Sequence, residues 1–238
     1  MSTPGLTFVI SRPKDPQKTS DDLYNRFYNE EHLPDIVALM KRLDFPALAL
    51  RYQNADPAST RIPYLALYPY PDTAWQKTPE RTKFIESTRH SRVLGGDIYE
   101  AVDFGFRLYE KIQTFEGYGH AEKSGRERGQ TIVCVAMEPG ASEEQQADFE
   151  DWYRKQHLDM LSMCKGYRRT TRYRRTDGVK PRFLALHEYA CEPDELPSEQ
   201  IAQVSATEWT KKILAEAEVF ERDVLRLVHV EGDEGVKL

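Results

Sequence analysis

Residues 27–35 read FYNEEHLPD, and residues 152–160 read WYRKQHLDM. An aromatic residue, a tyrosine, three polar residues, a histidine and a leucine recur in the same register, shifted by 125 positions (152 − 27). The two stretches predict a duplicated domain in which His32 and His157 occupy equivalent places.

Shorter matches outside these stretches extend the duplication to other parts of the chain. Their offset falls from 125 to about 119 along the chain, as loops of different length would produce. The matched positions include Arg51 with Arg172, Tyr52 with Tyr173, and Tyr68 with His187.

Apolar and β-branched runs separated by turn residues predict the order β-α-β-β-α-β in each copy. In the first copy the third strand is expected at Tyr64–Tyr70, where Tyr64, Tyr68 and Tyr70 share one face by alternation. In the second copy the second strand is expected at Tyr167–Arg175.

The first helix is predicted to begin after the N-cap candidate Ser20 and to run to about Leu33. Proline disfavours helical geometry in the residue before it, so the helix is expected to stop or kink ahead of Pro34. His32 would then lie in the last turn, near the partial negative charge of a helix C-terminus.

The predicted fold class is α+β, with two tandem ferredoxin-like repeats. The domain bounds are expected at residues 1–117 and 130–238, joined by a glycine-rich and charged linker at residues 118–129. A four-stranded sheet with both helices on one face leaves its other face bare. The two sheets are therefore expected to pack against each other as an α/β-barrel within one chain.

Composition limits the classes of function. The chain has 238 residues, a net charge of -6 and three cysteines without paired spacing, so we expect a cytoplasmic protein with no nucleic-acid partner. No apolar run approaches the roughly 20 residues that span a bilayer, which predicts no membrane partner. The first residues do not resemble a secretory signal.

The end of the first predicted helix, an aromatic residue followed after two positions by Glu31, His32, Leu33 and Pro34, resembles the EthD family of the dimeric α/β-barrel superfamily. The resemblance covers nearly the whole chain, twice, as in tandem EthD-like proteins of fungi. It implies a pocket in each half with the histidine as acid/base candidate. The second copy departs from the pattern because Asp159 stands in the place of Pro34.

Relatives in that superfamily include muconolactone-type isomerases, polyketide cyclases and decarboxylases, cofactor-independent monooxygenases and stress-response proteins. The resemblance implies a cofactor-independent lyase or isomerase of secondary metabolism, acting on a small aromatic or polyketide-like molecule. A non-catalytic binding or stress-response protein and a cofactor-free oxygenase are the alternatives. We expect no cofactor and no metal, because no nucleotide-binding motif or paired histidine spacing is present. A homodimer of this internal pseudo-dimer also stays open.

Four residues form the predicted site of the first copy. His32 would move the proton, and Asp35 would orient its ring. Tyr52 and Tyr68 would hold an oxyanion or hydroxyl of the substrate. The structural alternatives are a C-terminal helix cap for the histidine and ordinary sheet packing for the tyrosines.

The predicted site of the second copy is more polar. His187 would pair with His157 and Tyr173 in its pocket. The neighbouring stretch of residues 165–175, KGYRRTTRYRR, is basic and aromatic. It could bind an anionic substrate or nucleic acid. We favour the interpretation that its arginines meet acidic side chains of adjacent elements, because the whole chain is acidic.

Overall fold

The computed structural model describes residues 2–117 and 128–238. The described residues divide into two compact units, one within Met1–Glu110 and Leu227–Leu238 and the other within Lys111–Arg226. Most of the predicted linker, residues 118–127, lies outside the described residues, and the predicted domain bounds stay a prediction.

The first unit contains a four-stranded antiparallel sheet in the order β6-β1-β3-β2. Its strands are β1 (Gly5–Pro13), β2 (Leu48–Asn54), β3 (Tyr64–Tyr70) and β6 (Val102–Phe115). Strand β6 pairs with β1 through residues 102–110. Two short strands, β4 (His90–Ser91) and β5 (Gly96–Asp97), form a separate hairpin. Its helices are Asp21–Arg26, Leu33–Arg42, Pro79–Ser87 and Ile98–Ala101, with a 3-10 turn at Thr73–Lys77.

The second unit contains a sheet in the order β10-β7-β9-β8, also antiparallel. Its strands are β7 (Thr131–Glu138), β8 (Tyr167–Arg175), β9 (Phe183–Tyr189) and β10 (Val219–Gly232), the last pairing with β7 through residues 219–226. Its helices are Glu143–Trp152, Leu158–Ser162, Ser198–Ser205 and Glu208–Glu216, with a 3-10 turn at Pro193–Glu195. The four strands of each main sheet and the helical segments between them follow the predicted order, whereas the hairpin of β4 and β5 and the helix Ile98–Ala101 in the first unit were not predicted.

The predicted end of the first helix at Leu33 is wrong. A π-helical turn at Phe27–His32 follows the first helix, and the chain then continues as the helix Leu33–Arg42. Pro34 lies in the first turn of that helix. The wider π turn accommodates a proline ring that would clash with the carbonyl four residues earlier in a regular helix. His32 is therefore inside a continuous helical segment and not at a helix C-terminus.

Each unit has an apolar core between its helices and one sheet face. In the first unit this core is rich in aromatic rings from the helical segment and from β3. Buried members of the two cores include Tyr24, Phe27, Tyr28, Val37, Tyr64 and Tyr68 in the first unit, and Phe149, Trp152, Tyr153, Leu158, Tyr167 and Tyr189 in the second.

The end of β10 makes a close backbone contact in the first unit. Gly232 has a φ of +99° and approaches Ala47, whose carbonyl accepts a 2.7 Å hydrogen bond from the Asp233 amide. A Cβ atom at position 232 would lie 2.1 Å from that carbonyl oxygen. No side chain fits there without a backbone shift.

We expect Gly232→Ala to lower the free energy of unfolding by about 1–3 kcal/mol, because strain and a backbone clash act together. Gly96→Ala is the control, since a Cβ there meets nothing within 4 Å. It should change stability by less than about 0.5 kcal/mol. Urea unfolding of both variants measures the difference, and equal midpoints would contradict the expectation.

Candidate functional site

A π turn sets the direction of the histidine in each unit. The Leu33 amide donates to the Tyr28 carbonyl, and the Leu158 amide donates to the Tyr153 carbonyl, both five residues back. Such turns insert one residue into a helix and are frequent at functional sites. The sequence contained a signal for the first one, because apolar residues at helical spacing, Ile36 and Met40, continue past Pro34.

A pocket of about 110 Å³ lies beside His32 in the first unit. Its walls come from the helices Leu33–Arg42 and Pro79–Ser87 and from strands β1, β3 and β6. Most of the lining is apolar, including Ile36, Met40, Phe45, Trp75, Phe84 and Phe104. The polar side chains that line it are Thr7, His32, Tyr68, Tyr70, Arg81, Thr88 and Tyr99.

His32 is held among aromatic rings. Its imidazole stacks on Phe27 at 5.2 Å between ring centroids and meets the rings of Tyr28 and Tyr68 edge-on at 5.4 and 6.5 Å. Burial lowers the pKa of His32 to about 4, although the Glu31 carboxylate acts in the opposite direction. The imidazole is therefore neutral at pH 7 and can accept a proton.

Tyr68 presents a free hydroxyl beside this imidazole. Its oxygen is buried and has no hydrogen-bond partner within residues 2–117 and 128–238. Burial raises the pKa of Tyr68, an effect that Tyr24 reinforces and Arg51 opposes. The phenol thus stays protonated and can donate a hydrogen bond to a ligand.

The structure does not bring Tyr52 to the pocket. On β2, Arg51 pairs with Ala66 and Tyr52 with Leu65, and Ala66 belongs to the sheet face that packs against the helices. Tyr52 is therefore on the opposite face from Tyr68. Alternation along β3 shows which of its tyrosines share a face. The register between β2 and β3 is needed to show that Tyr52 and Tyr68 lie on opposite faces of the sheet.

Asp35 lies near His32 but is exposed. Both line a second, more polar cavity of about 170 Å³. In the described part of the chain, the Asp35 carboxylate makes no hydrogen bond to the imidazole. Burial raises the pKa of Asp35, Glu31 adds to that rise, and Arg92 opposes it. The orienting role stays a prediction without a contact that supports it.

Glu31, which the sequence analysis used only in the motif, anchors the π turn. Its carboxylate accepts hydrogen bonds from the Ser91 hydroxyl, from the Arg92 amide at 2.9 Å and from the Val93 amide at 3.4 Å. Burial raises the pKa of Glu31, but these hydrogen bonds outweigh it and the net pKa is lowered. The contact ties the hairpin of β4 and β5 to the turn that carries His32.

The second unit brings His157 and His187 together. Their ring centroids are 6.3 Å apart, and Trp152 stacks on His157 at 4.1 Å. Both line a pocket of about 70 Å³. The Nδ1 atom of His157 is buried without a hydrogen-bond partner among the described residues, whereas Nδ1 of His187 is 2.8 Å from the Thr170 hydroxyl.

Both histidines of the second unit are neutral at pH 7. Burial lowers the pKa of His157 well below its usual range, and His187 and Arg172 add to the effect. Burial also lowers the pKa of His187 to about 3, with contributions from Arg222 and Arg172. This pocket is smaller than the first and keeps two uncharged imidazoles side by side.

Tyr173 does not join this pair. Thr170 is paired with His187, so Thr170 and Arg172 face the helices, and Tyr173 points to the other side of the sheet. Tyr173 is therefore not close to His157 and His187, and the predicted pairing of the three side chains in one pocket is not formed.

The interpretation that arginines of the basic strand meet acidic side chains is confirmed for three of its five arginines, Arg169, Arg172 and Arg175. Arg169 contacts Glu188 at 2.7 Å, and the Arg172 guanidinium contacts Glu150 at 2.9 Å and lies 3.9 Å from the Tyr153 ring centroid. Arg175 contacts Asp177 at 2.6 Å. These three cations of β8 are satisfied within the second unit and do not form an open anion-binding surface.

Residues 2–117 and 128–238 contain neither a cluster of metal ligands nor a membrane-spanning helix. No group of three or more His, Cys, Asp or Glu side chains there is placed to hold a metal ion. No helix in this part of the chain is long and apolar enough to cross a bilayer. The expectation that the protein needs no cofactor stays an expectation.

The histidine pKa values can be measured by NMR titration of side-chain imidazole signals. We expect His32 to titrate near pH 4, where an unfolded chain would titrate near 6.5. Because the folded state binds this proton more weakly, its contribution to stability is full above pH 6.5 and is lost as the pH falls through 4. A midpoint for His32 near 6.5 in the folded protein would contradict the lowered pKa and the neutral state at pH 7. The urea-unfolded chain is the control.

Substitution of Glu31 tests the anchor. We expect Glu31→Ala to lower the free energy of unfolding by about 1–3 kcal/mol, because the buried donors around Ser91 and Arg92 lose their acceptor. Glu30→Ala is the matched control, since that exposed carboxylate has only a 3.5 Å contact with Arg26. It should cost less than about 0.5 kcal/mol. Equal losses in thermal or urea unfolding would refute the anchoring role.

No protein-family model and no curated protein sequence matches this chain. Solved structures do match it, with the similarity spanning nearly its full length. A candidate monooxygenase from Lactobacillus acidophilus NCFM is 9% identical, with a TM-score of 0.54, and the match covers 96% of this chain and 95% of that one. A candidate monooxygenase from Fusobacterium nucleatum is 8% identical, with a TM-score of 0.57 and coverage of 99% and 97%.

Chlorite dismutase from Candidatus Nitrospira defluvii, in a complex with imidazole, is 9% identical, with a TM-score of 0.60 and coverage of 96% of this chain and 92% of that one. At such low identity the similarity shows the fold alone, and the EthD family stays a resemblance. The chain shares its mixed α/β class of fold with these proteins.

Proposed function

We propose that the first unit is a cofactor-independent acid/base enzyme acting on a small aromatic or polyketide-like molecule. The observation that carries the proposal is the pairing, in one apolar pocket, of a neutral imidazole at His32 with the unpartnered hydroxyl of Tyr68. Burial of a hydrogen-bond donor without a partner is costly, and a ligand oxygen would remove that cost.

His32 would act as the proton shuttle. A neutral imidazole takes a proton from a carbon next to a carbonyl and returns it at another position or to a leaving group. Because burial lowers its pKa to about 4, the neutral ring is a weaker base than an ordinary histidine, and the imidazolium formed in the pocket is a stronger acid that returns the proton readily. An anionic intermediate beside the ring would stabilise the charged form while it exists.

Tyr68 would stabilise the developing oxyanion. Its phenol stays protonated and is already free of other hydrogen bonds, so it needs no rearrangement to donate to the substrate oxygen. Isomerisation, cyclisation with dehydration, and decarboxylation all pass through such an enolate. The proposal therefore covers this group of lyase and isomerase reactions.

We also propose that the two units are tandem ferredoxin-like repeats and that the second binds a ligand without carrying the main reaction. Each unit places a histidine at the end of a π turn against a sheet residue, Tyr68 in one and His187 in the other. The second pocket is smaller, at about 70 Å³, and His187 stands in the place of Tyr68, so it has no phenol to donate to an oxyanion.

Oxygen-dependent oxidation without a cofactor is the second candidate. It is favoured by the fold shared with two candidate monooxygenases. In that reaction the same two residues would generate a substrate carbanion, which then supplies electrons to oxygen. Both candidate reactions begin with removal of a proton from the substrate by His32. They differ in the next step, in which the carbanion either takes a proton or releases a leaving group, or reacts with oxygen.

Proton exchange in D₂O gives the direct test. Aromatic oxo-acids are incubated with the protein, and loss of the signal from the carbon-bound hydrogen is followed by NMR, with an oxygen electrode in parallel. We expect His32→Asn to slow exchange by about 100-fold or more, and Tyr68→Phe to slow it by about 10- to 100-fold. Oxygen uptake coupled to substrate loss would select the oxygenase.

Two controls separate chemistry from folding. Tyr68→Phe removes a hydroxyl without partners, so stability should stay within about 0.5 kcal/mol of the parent or increase. His157→Asn makes the matched change in the other unit and should leave exchange unchanged. Exchange that survives His32→Asn would exclude the proposed shuttle, and ligand binding without exchange in the parent would make the unit a binding module.

A further inference from the structure

Arg81 is the one cation on the wall of the first pocket, among residues 2–117 and 128–238, and it has no acidic partner there. It lies on the helix Pro79–Ser87 and is partly buried. Burial lowers the pKa of the Arg81 guanidinium, and the neighbouring phenols of Tyr70 and Tyr99 oppose this shift. The sequence carries no local signal for this position, because Arg81 is one of several charged residues in a helix that is mostly polar.

Other enclosed arginines of the described chain are matched differently. Arg169 and Arg172 each contact a glutamate, at 2.7 and 2.9 Å. Arg51 lies over the rings of Tyr24, Tyr28 and Tyr64 at 4.5–5.1 Å from their centroids. Arg81 instead faces an open volume, where its charge is partly desolvated without compensation.

A ligand that satisfies the pocket has to carry an acceptor for two separate donors. Tyr68, which is 6% exposed, offers an unpartnered hydroxyl beside His32, and Arg81 offers a planar fork of N–H groups suited to a carboxylate. A single cation with neutral phenols matches one negative charge. A phosphate group carries more than one negative charge near pH 7, and the single guanidinium of this wall would leave part of that charge uncompensated.

The apolar remainder of the pocket sets the size of the ligand body. The volume of about 110 Å³ is similar to the roughly 150 Å³ apolar cavity that holds benzene in an engineered protein. Phe45, Trp75, Phe84 and Phe104 line it and favour an aromatic ring over a polar chain.

We propose that this pocket binds a small aromatic monocarboxylate of about one ring, whose carboxylate pairs with Arg81 while its other oxygen function meets Tyr68. This names the substrate class of the proposed enzyme and rests on the proposed function only for the reaction at His32. Arg81 is then the residue that selects acids over their neutral analogues.

Binding of benzoate, phenylglyoxylate and benzamide, measured by calorimetry, tests the proposal without any need for turnover. We expect the parent to bind the two acids and to bind benzamide at least tenfold more weakly. Arg81→Gln should lower affinity for the acids at least tenfold and leave benzamide unchanged. Arg81→Lys should give an intermediate loss, since it keeps a charge but not the planar fork.

Lys83→Gln is the matched control because it removes a positive charge from an exposed position of the same helix. It should change none of the affinities by more than twofold. The ¹⁵N signal of the Arg81 guanidinium in the unmutated protein, assigned by its loss in Arg81→Gln, should shift on addition of benzoate. This readout does not depend on the stability of a variant.

The outcomes separate this inference from the proposed function. Acid binding that needs Arg81, without proton exchange in D₂O, would uphold the carboxylate site and reject the enzyme. Proton exchange that is equal in the parent and in Arg81→Gln, for acids and neutral analogues alike, would overturn the carboxylate site and keep the enzyme. Equal binding of benzoate and benzamide, or no binding of either acid at 10 mM (on the order of the weakest small-ligand affinities), would also overturn it.

Discussion

An uncharged imidazole enclosed by aromatic rings is the constraint around which the first unit is built. His32 is stacked on Phe27 and flanked by Tyr28 and Tyr68, and burial lowers its pKa to about 4. A charged ring would lose most of its hydration in this place. The close packing of the helical segment on the sheet, which forms the walls of the pocket, therefore favours the neutral imidazole.

The charged groups near this interface are kept away from the imidazole by other contacts. Glu31, the neighbouring residue, directs its carboxylate to the hairpin at Ser91 and Arg92 instead of to the ring. In the second unit, Gln156 takes the equivalent position and accepts a 3.0 Å hydrogen bond from the Thr207 hydroxyl. Each unit thus uses the residue before its histidine to hold another element in place, one with a charge and one without.

Much of the fold followed from the sequence because the relevant signals are local. The strands Tyr64–Tyr70 and Tyr167–Arg175 have the predicted bounds, since alternation and flanking turn residues define a strand over a few positions. The helix end at Leu33 failed because the rule for proline assumes a regular helix, and a π turn changes the spacing that the rule depends on. The face occupied by Tyr52 and the burial of Arg81 depend on contacts between distant segments, which no local pattern records.

The π turn has a consequence for changes in chain length. In a regular helix, one inserted residue would rotate everything after it by about 100° around the helix axis. The wider π turn absorbs that extra residue. The apolar face before Phe27 and the apolar face after His32 are therefore out of phase in sequence but face the same core in space. Deleting a single residue between them would restore a regular helix with both faces still on the core, but it would remove the widened turn that sets the direction of His32. Inserting a second residue would turn the downstream face away from the core. The length of this stretch therefore fixes the direction of the histidine, whereas substitutions in it change one contact at a time.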